Sequence, residues 1–257
     1  MVKERDRIES GNVFEGIVSF RAVVDGMKRP GGRRIERLFY DGEKLKKNAR
    51  EFLYIKAKSA ELGFELTVAP RNVIDGMTTG NSHGGIAFYC TEREYPRVTG
   101  DVIVENGVYV LLEGIEDPFN FGYALRTVCA SGADGVLLTR RTWENASGIV
   151  CRSSAGASEM IDIFTLEDEN DLGLFRDRGY RVVAADTENA KLMYECDLRR
   201  PVLLAVGGEK RGLSRFILDF SDERARIEYG REFPAALSAA SAASVLAFEI
   251  YRQNAKK

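Results

Sequence analysis

The chain alternates between segments with a helical period of hydrophobic residues and short continuous apolar segments. Residues 16–27 and 43–62 carry apolar side chains at the i, i+3, i+4, i+7 spacing of an amphipathic helix. Strands are predicted at residues 34–40, 64–69 and 86–90. The first 95 residues therefore predict a small α/β domain.

A second alternating series follows a turn-rich stretch at residues 96–101. Its predicted strands are 108–112, 135–138, 161–164, 180–185, 202–206 and 225–227, and its predicted helices are 121–131, 146–156, 168–178, 213–220 and 236–252. Apolar strands separated by helical patterns are typical of a parallel sheet covered by helices on both faces. We place the domain boundary in the turn-rich stretch, which gives domains of residues 1–99 and 100–257.

Length and composition leave room for two compact domains. The chain has 257 residues, of which 44% are hydrophobic, and this suffices for a sizeable core. No run approaches the roughly 20 apolar residues of a membrane span, and residues 1–6 are too charged to begin a signal peptide. We therefore expect a cytoplasmic protein that does not enter a membrane.

Cysteine and histidine usage argues against a metal site and a disulfide framework. The four cysteines, Cys90, Cys129, Cys151 and Cys196, form no C-x-x-C pair, and His83 is the only histidine. We expect the thiols to be small core residues and the protein to bind no metal. His83 lies in a glycine-rich turn, where a structural role is favoured over catalysis.

The net charge of −2 hides a difference between the two ends of the chain. Residues 1–60 carry 15 Lys and Arg against 9 Asp and Glu, whereas the remaining residues carry 22 against 30. A positive region of domain size is expected where a protein contacts a phosphate backbone, although a charge run can also be only a solvated face. Charge alone leaves both interpretations open.

Polar residues occupy the first turns of the helix that follows the first strand of the second series. Asn120 and Arg126 come after that strand and a turn ending in Asp117-Pro118, so their helix begins at the carboxyl end of a buried strand. Ligands bind at that edge of a parallel sheet, and a helix N-terminus there offers unpaired N–H groups to an anion. Taken alone, Arg126 could equally be an arginine on a helix surface.

A glycine-rich turn follows the predicted strand at residues 202–206. Gly207, Gly208 and Gly212 let a ligand approach the backbone and leave N–H groups free. The turn lacks the Gly-Lys-Ser/Thr of a P-loop and does not open the first βα unit as a dinucleotide motif does, which argues against ATP and NAD. In isolation these glycines could form a plain turn, and Glu209 could be an exposed carboxylate.

Together these segments resemble the SpoU/TrmH-type RNA ribose 2′-O-methyltransferases of the SPOUT class. The family's first motif is matched by Asp117-Pro118-x-Asn120-x-Gly122-x-x-x-Arg126-Thr127, its second by Gly207-x-Glu209-x-x-Gly212-Leu213-Ser214, and a middle signature by Ser154-Ala-Gly-Ala157. The amino-terminal part is similar to the family's substrate-binding domain, with Glu15-Gly16 and His83-Gly84-Gly85 at corresponding places. The resemblance covers nearly the whole chain.

The resemblance implies a fold, a cofactor and a set of site residues. The fold would be a C-terminal parallel sheet with helices on both faces and a trefoil knot, preceded by a smaller N-terminal α/β domain that binds RNA. The cofactor would be S-adenosyl-L-methionine (AdoMet), and the catalytic residues would be Arg126, Asn120 and Glu209. The residues that bind the cofactor would be Gly207, Gly208, Ile227 and Leu237.

The implied reaction transfers a sulfonium methyl group to a ribose 2′-hydroxyl of rRNA or tRNA. Because a guanidinium is essentially always protonated, Arg126 is expected to position an RNA phosphate and to stabilise the developing alkoxide. Asn120 would orient Arg126 or the ribose, and Glu209 would fix the loop around the site. Relatives are dimers whose paired subunits complete the site, so we expect a homodimer with the helix of residues 238–251 in its interface.

The third motif departs from the family's pattern and leaves an alternative open. Where the family has Ile-Pro-Met followed by Ser-Leu-Asn-Val-Ser, this chain has Ile227-Glu-Tyr-Gly and Ala236-Leu-Ser-Ala-Ala240, with about one residue inserted. Ser238 stands in place of the family's Asn. The alternative is a non-catalytic RNA-binding protein that kept the fold, and a nucleotide-binding enzyme outside the family would instead bind ATP or NAD.

Overall fold

The computed structural model describes residues 13–78, 82–139 and 146–255. In chain order its elements are β1 (Val13–Glu15), α1 (Gly16–Gly26), β2 (Ile35–Asp41), α2 (Gly42–Leu45), α3 (Ala49–Leu62), β3 (Glu65–Ala69), α4 (Arg71–Met77), β4 (Ile86–Cys90), a 3₁₀ turn (Gly100–Val102), β5 (Val108–Glu113), α5 (Pro118–Ala130), β6 (Gly135–Thr139), α6 (Ser147–Ser153), α7 (Ala157–Met160), β7 (Asp162–Leu166), α8 (Glu169–Asp177), β8 (Arg181–Ala185), β9 (Lys191–Leu192), β10 (Val202–Gly207), α9 (Arg215–Phe220), β11 (Glu223–Arg226) and α10 (Ala239–Asn254). Residues 1–6, which the sequence shows to be charged, lie outside the described ranges.

The described residues form two compact units. The first comprises residues up to 94 together with 146–160, and the second comprises 95–139 and 161–255. The sequence assigns residues 146–160 to the second domain, but their helices α6 and α7 pack with β1 and α1 of the first unit. As a division into functional domains, the boundary between residues 99 and 100 stays a prediction.

The first unit is built on a four-stranded mixed sheet in the order β1-β4-β2-β3, in which only β2 and β3 are parallel. Its apolar core includes Phe20 of α1, whose ring packs edge-on against Phe88 of β4. The predicted helix of residues 43–62 is divided into α2 and α3. The side chain of Asp41 caps α2 by accepting a hydrogen bond of 2.9 Å from the Glu43 backbone N–H, and α3 begins after Asn48.

A buried ion pair ties residues 146–160 to the rest of the first unit. Arg33 Nε lies 3.3 Å from a carboxylate oxygen of Glu159, and each side chain is only 3% exposed. The hydroxyl of Ser158 donates a further hydrogen bond of 2.9 Å to Glu159. Buried charges require such partners, so α7 is held by a residue 126 positions away in the chain.

The second unit contains a seven-stranded sheet in which every pair of neighbouring strands is parallel, in the order β7-β6-β5-β10-β8-β11-β9. On one face, Leu203 and Ala205 of β10 join a cluster with Phe175 of α8 and Ile217 of α9. Because side chains alternate along a strand, Leu204 faces the other side, where α10 packs on β10 and on α5. The predicted parallel sheet with helices on both faces is confirmed.

The four cysteines form no disulfide, and Cys90, Cys151 and Cys196 are buried. Burial raises the pKa of Cys151 to about 12 and that of Cys196 to about 11. Within the described ranges no helix has the length and apolar character needed to cross a membrane.

Candidate functional site

A cavity of about 700 Å³ opens in the second unit at the carboxyl ends of β8, β10 and β11. Its walls are drawn mainly from three stretches, residues 206–213, 225–233 and 236–246. The predicted cofactor-binding residues Gly207, Gly208, Ile227 and Leu237 all line it, as does Glu209. The structure thus brings together at one cavity segments that the sequence separates.

Two glycines at the end of β10 and the start of the following turn have no room for a side chain. A Cβ atom on Gly208 would overlap the carbonyl oxygen of Gly114, and one on Gly207 would overlap the backbone of Gly212. Gly212 has a φ of +63°, a conformation that glycine adopts without strain, and its N–H donates a hydrogen bond of 2.9 Å to the Gly208 carbonyl. The turn is therefore folded tightly against the end of β5.

A hydrogen bond joins the helix that follows β5 to this turn. Asp117 caps α5 by accepting a hydrogen bond of 2.9 Å from the Asn120 backbone N–H, and Pro118 occupies the first helical position. The side-chain amide of Asn120 then donates a hydrogen bond of 3.0 Å to Glu209 Oε1. Two of the predicted catalytic residues, 89 positions apart, are thus in direct contact at the rim of the cavity.

Two further contacts hold the turn, and sequence reasoning missed both. The Glu113 carboxylate at the end of β5 accepts a hydrogen bond of 2.6 Å from the Ser214 backbone N–H, and Lys210 lies 2.7 Å from Glu116. Glu113 and Glu116 directly precede the first motif in the sequence. An acidic residue at the end of an apolar strand is the feature of the sequence that could have indicated these contacts.

The third wall of the cavity is the irregular segment between β11 and α10. The Leu237 backbone N–H donates a hydrogen bond of 3.0 Å to the hydroxyl of Tyr229, so this N–H already has a partner within the chain. Ser238 caps α10, its hydroxyl accepting a hydrogen bond of 3.2 Å from the Ser241 N–H. Ser238, which stands in place of the family's Asn, thus forms its hydrogen bond within the first turn of its own helix.

Arg126 is placed differently from the other predicted residues. Its side chain is exposed on α5, and it is not among the residues that line the cavity of its own chain. It shares a helix face with Phe119 and Tyr123, since the three follow the i, i+4, i+7 spacing, and both aromatic side chains are exposed. The helix α10, which packs on α5, presents exposed apolar residues as well, namely Val245, Phe248 and Tyr251.

Residues 107–248 match the SpoU rRNA Methylase family. The chain belongs to this family. A relative from Staphylococcus saprophyticus, assigned to the TrmH family of tRNA/rRNA methyltransferases, is 30% identical over 190 residues, which cover 72% of this chain and 76% of that protein. A similarly assigned protein of Bacillus subtilis is 25% identical over 243 residues, 92% of this chain and 95% of the relative.

Solved structures extend the likeness to the SpoU fold over both units. An AdoMet complex of a SpoU methyltransferase from Streptomyces viridochromogenes has a TM-score of 0.77 and 21% identity, and the match covers 98% of this chain and 93% of that one. An AdoMet-bound rRNA methyltransferase from Sinorhizobium meliloti has a TM-score of 0.74 and 24% identity, covering 98% of this chain and 90% of that one. All seven predicted site residues lie within the segment that matches the SpoU family.

Proposed function

We propose that this SpoU family member transfers the methyl group of AdoMet to a ribose 2′-hydroxyl of tRNA or rRNA. The observation that carries the proposal is the Asn120–Glu209 hydrogen bond, which joins the family's first two motifs at the cavity rim. The relatives are assigned as tRNA/rRNA methyltransferases, and a structure of similar fold is an RNA 2′-O ribose methyltransferase. The cytoplasm, where such RNA is found, stays the predicted location.

The cavity suits a cofactor of the size and chemistry of AdoMet. Its volume of about 700 Å³ falls within the range of roughly 300–1,000 Å³ typical of small-molecule sites. Gly207 and Gly208 would bring backbone groups against the cofactor, while Leu213 and Leu246 supply apolar walls. When bound, AdoMet supplies a methyl group activated by the positive sulfur. The trefoil knot expected around such a cofactor stays a prediction.

Arg126 would act on the RNA rather than on the cofactor. A guanidinium binds a phosphate through two parallel hydrogen bonds and remains charged, so Arg126 orients the ribose and stabilises the alkoxide that develops on it. The proton of the 2′-hydroxyl passes to the phosphate or to a water molecule. Asn120 and Glu209 hold the glycine turn in position beside this chemistry.

Arg126 does not line the cavity of its own chain, but in a homodimer it would reach the cavity of the partner subunit. Phe119 and Tyr123 of α5 and Val245, Phe248 and Tyr251 of the helix packed on it, α10, are exposed apolar side chains. We call them the α5/α10 surface, and exposed apolar residues of this kind are typical of a contact with another protein. We place the dimer contact on this surface, with Arg126 of one subunit serving the cavity of the other. Sedimentation of the wild-type protein should show a dimer, and the variants Phe248→Glu and Tyr123→Glu should be monomers without activity.

The first unit would supply much of the contact with RNA. Lys46, Lys47 and Arg50 are exposed in and beside the turn between α2 and α3, and none forms an ion pair with another described residue. Lys44 and Lys58, by contrast, are paired with Glu51 and Glu61. We name Lys46, Lys47 and Arg50 the basic turn, and their free charges suit a phosphate backbone.

The decisive experiment replaces Arg126 by alanine. Transfer of labelled methyl from AdoMet into RNA isolated from cells that lack the gene should be abolished, while AdoMet affinity in calorimetry stays within about twofold of wild type. Arg215→Ala, which removes an exposed arginine outside the cavity, should leave both unchanged. Equal loss of transfer and AdoMet binding would contradict the role of Arg126. A wild-type protein that binds RNA but transfers no methyl would establish the non-catalytic alternative.

The dimer adds a complementation test. A variant lacking Arg126 and a variant with weakened AdoMet binding, such as Gly208→Ala assayed at an AdoMet concentration well below its Kd, are each expected to have little activity. When the two are unfolded and refolded together, mixed dimers contain one intact pairing of Arg126 with a partner's cavity, so activity should return. No recovery in proven mixed dimers would show that Arg126 does not act across the interface.

A further inference from the structure

Two aromatic side chains stand at the rim of the cavity in the segment where this chain departs from its family. Tyr229 and Phe233 both line the cavity, and their rings meet edge to face with centroids 6.2 Å apart. We call them the rim pair. Neither the reaction described above nor the expected cofactor contacts use either ring.

Tyr229 is fixed in place by the backbone. Its hydroxyl accepts the hydrogen bond from the Leu237 N–H at 3.0 Å, which ties the irregular segment to the residue just before the cap of α10. The Tyr229 ring is half-buried and supports Phe233 from one side. A contact of this geometry between aromatic rings is favourable beyond the area it buries.

Phe233 is held but not covered. Its side chain remains 55% exposed, although the ring belongs to a segment that lines the cavity. The residues that precede it, Arg231 and Glu232, are exposed and charged. A large apolar ring presented to water beside a ligand cavity is suited to receive another flat apolar face.

The reaction supplies such a face. The base of a nucleotide is attached to C1′ of the ribose, next to the carbon that carries the 2′-hydroxyl. When that hydroxyl reaches a methyl group inside the cavity, its base must therefore lie at the rim. Bases in single-stranded RNA are recognised by stacking on aromatic side chains, and this works for any base because each has a π-face.

We infer that Phe233 is the stacking platform for the base of the nucleotide that is methylated, and that Tyr229 is the residue that positions it. The inference rests on the proposed function. The adenine of AdoMet is the competing occupant, but the residues expected to hold the cofactor include Gly207 and Leu237, whereas the Phe233 side chain is 55% exposed to solvent. The platform would add affinity for the target nucleotide without selecting among the bases.

Substitutions of Phe233 distinguish the effect of its aromatic face from that of its apolar volume. Phe233→Leu should lower kcat/KM for RNA by about five- to a hundredfold, the range that the loss of one stacked base predicts, with AdoMet affinity in calorimetry within twofold of wild type. Phe233→Tyr should keep kcat/KM near wild type. Tyr229→Phe, which keeps the ring and removes the hydroxyl, should give a smaller loss. The substrate is again RNA from cells that lack the gene, and Tyr194→Ala, at a residue 57% exposed outside the cavity, is the control.

A second measurement needs no turnover. Phe233→Trp in a chain whose only tryptophan, Trp143, is changed to Phe gives one fluorescent ring at the rim, and a single-stranded ribo-oligonucleotide should quench it whether or not methyl is transferred. Unchanged kcat/KM for RNA in Phe233→Leu would overturn the inference. So would a fall in AdoMet affinity as large as the fall in kcat/KM, since Phe233 would then stack on the cofactor. If the wild-type protein transfers no methyl group, the proposed function is refuted. The quenching experiment still tests, independently of turnover, whether an RNA base stacks on the ring at position 233.

Discussion

The second unit closes one wall of its cavity with the backbone of glycines, whereas the first unit presents long basic side chains on its surface. At the cavity, Gly207 and Gly208 leave no space for a Cβ atom, and the Leu237 N–H is bonded to the Tyr229 hydroxyl. In the first unit, Lys46 and Lys47 stand in an exposed turn and need no fixed orientation to meet a phosphate.

This difference explains why one region is easier to recognise than the other. A site made of close backbone contacts tolerates only glycine at fixed positions, so it leaves a strong pattern in the sequence. A positive surface can be built from any arrangement of Lys and Arg that sums to the same field. A contact with RNA by the first unit would therefore be visible in the sequence as an excess of charge and not as a motif.

The largest expected effect separates the stability of the first unit from the chemistry of the second. Glu159→Ala removes the Glu159 carboxylate from the buried pair with Arg33, and breaking a buried pair in this way costs about 3–5 kcal/mol. Denaturant unfolding followed by near-ultraviolet circular dichroism should show the loss, while AdoMet still binds the second unit. Glu65→Ala, which breaks the exposed pair with Arg37, should cost less than about 1 kcal/mol. Equal effects of the two substitutions would remove the distinction between buried and exposed pairs.

The next effect concerns the cavity backbone. Gly208→Ala forces a Cβ atom into the Gly114 carbonyl, so the turn must shift, and AdoMet affinity in calorimetry should fall at least about tenfold, or about 1.4 kcal/mol. Gly230→Ala is the matched control in the same cavity region, because a Cβ there would meet nothing within 4 Å. A Gly208→Ala variant that binds AdoMet normally would show that the close approach of β5 and β10 is not required.

A smaller effect tests the basic turn. Lys46→Glu combined with Lys47→Glu should weaken RNA binding and reduce the slope of log K against log salt by about 1.5, since each phosphate contact contributes about 0.7–0.9. AdoMet binding should be unchanged. Lys191→Glu, at an exposed lysine of the second unit, is the control for added negative charge. An unchanged slope in the double variant would move the RNA contact away from this turn.

The smallest effect concerns the thiols. Because the pKa of Cys151 is about 12, only about one such thiol in ten thousand is ionised at pH 8, and the thiolate is the form that reacts. Mass spectrometry after iodoacetamide treatment of the native protein at pH 8 should find Cys151 and Cys196 unmodified, and both modified after unfolding. Rapid labelling of Cys151 in the native state would show that the first unit opens readily.

The sequence predicts the regular elements and the joined motifs because these depend on local patterns. The strand of residues 86–90 has the predicted bounds, and the four residues predicted to bind the cofactor line one cavity. The helical spacing of apolar residues continues across the break between α2 and α3, so the spacing does not predict the break. The only local sign of it in the sequence is a pair of adjacent lysines before Asn48. The hydrogen bond from Leu237 to Tyr229 depends on the path of an irregular segment, and no periodicity encodes such a path.

The sequence also did not predict that residues 146–160 belong to the first unit. Their helices continue the alternation of the second series, so local pattern assigns them there. What overrides it is the pairing of Glu159 with Arg33, a tertiary contact between distant positions. For the same reason, deletion of residues 1–95 is a poor test of RNA binding, because it leaves the Glu159 carboxylate without its partner, and substitutions in the basic turn are preferable.

The interleaved first unit sets an order of events during synthesis. A ribosome adds about 5–20 residues per second, so an interval of about 3 to 13 s separates emergence of residue 95 from emergence of residue 160. During that time Arg33 lacks the carboxylate of Glu159, and the strands β5 and β6 of the other unit emerge. The first 94 residues cannot complete their packing until residues 146–160 have been made. A nascent chain arrested between 95 and 160 residues should therefore remain sensitive to protease in its first 94 residues.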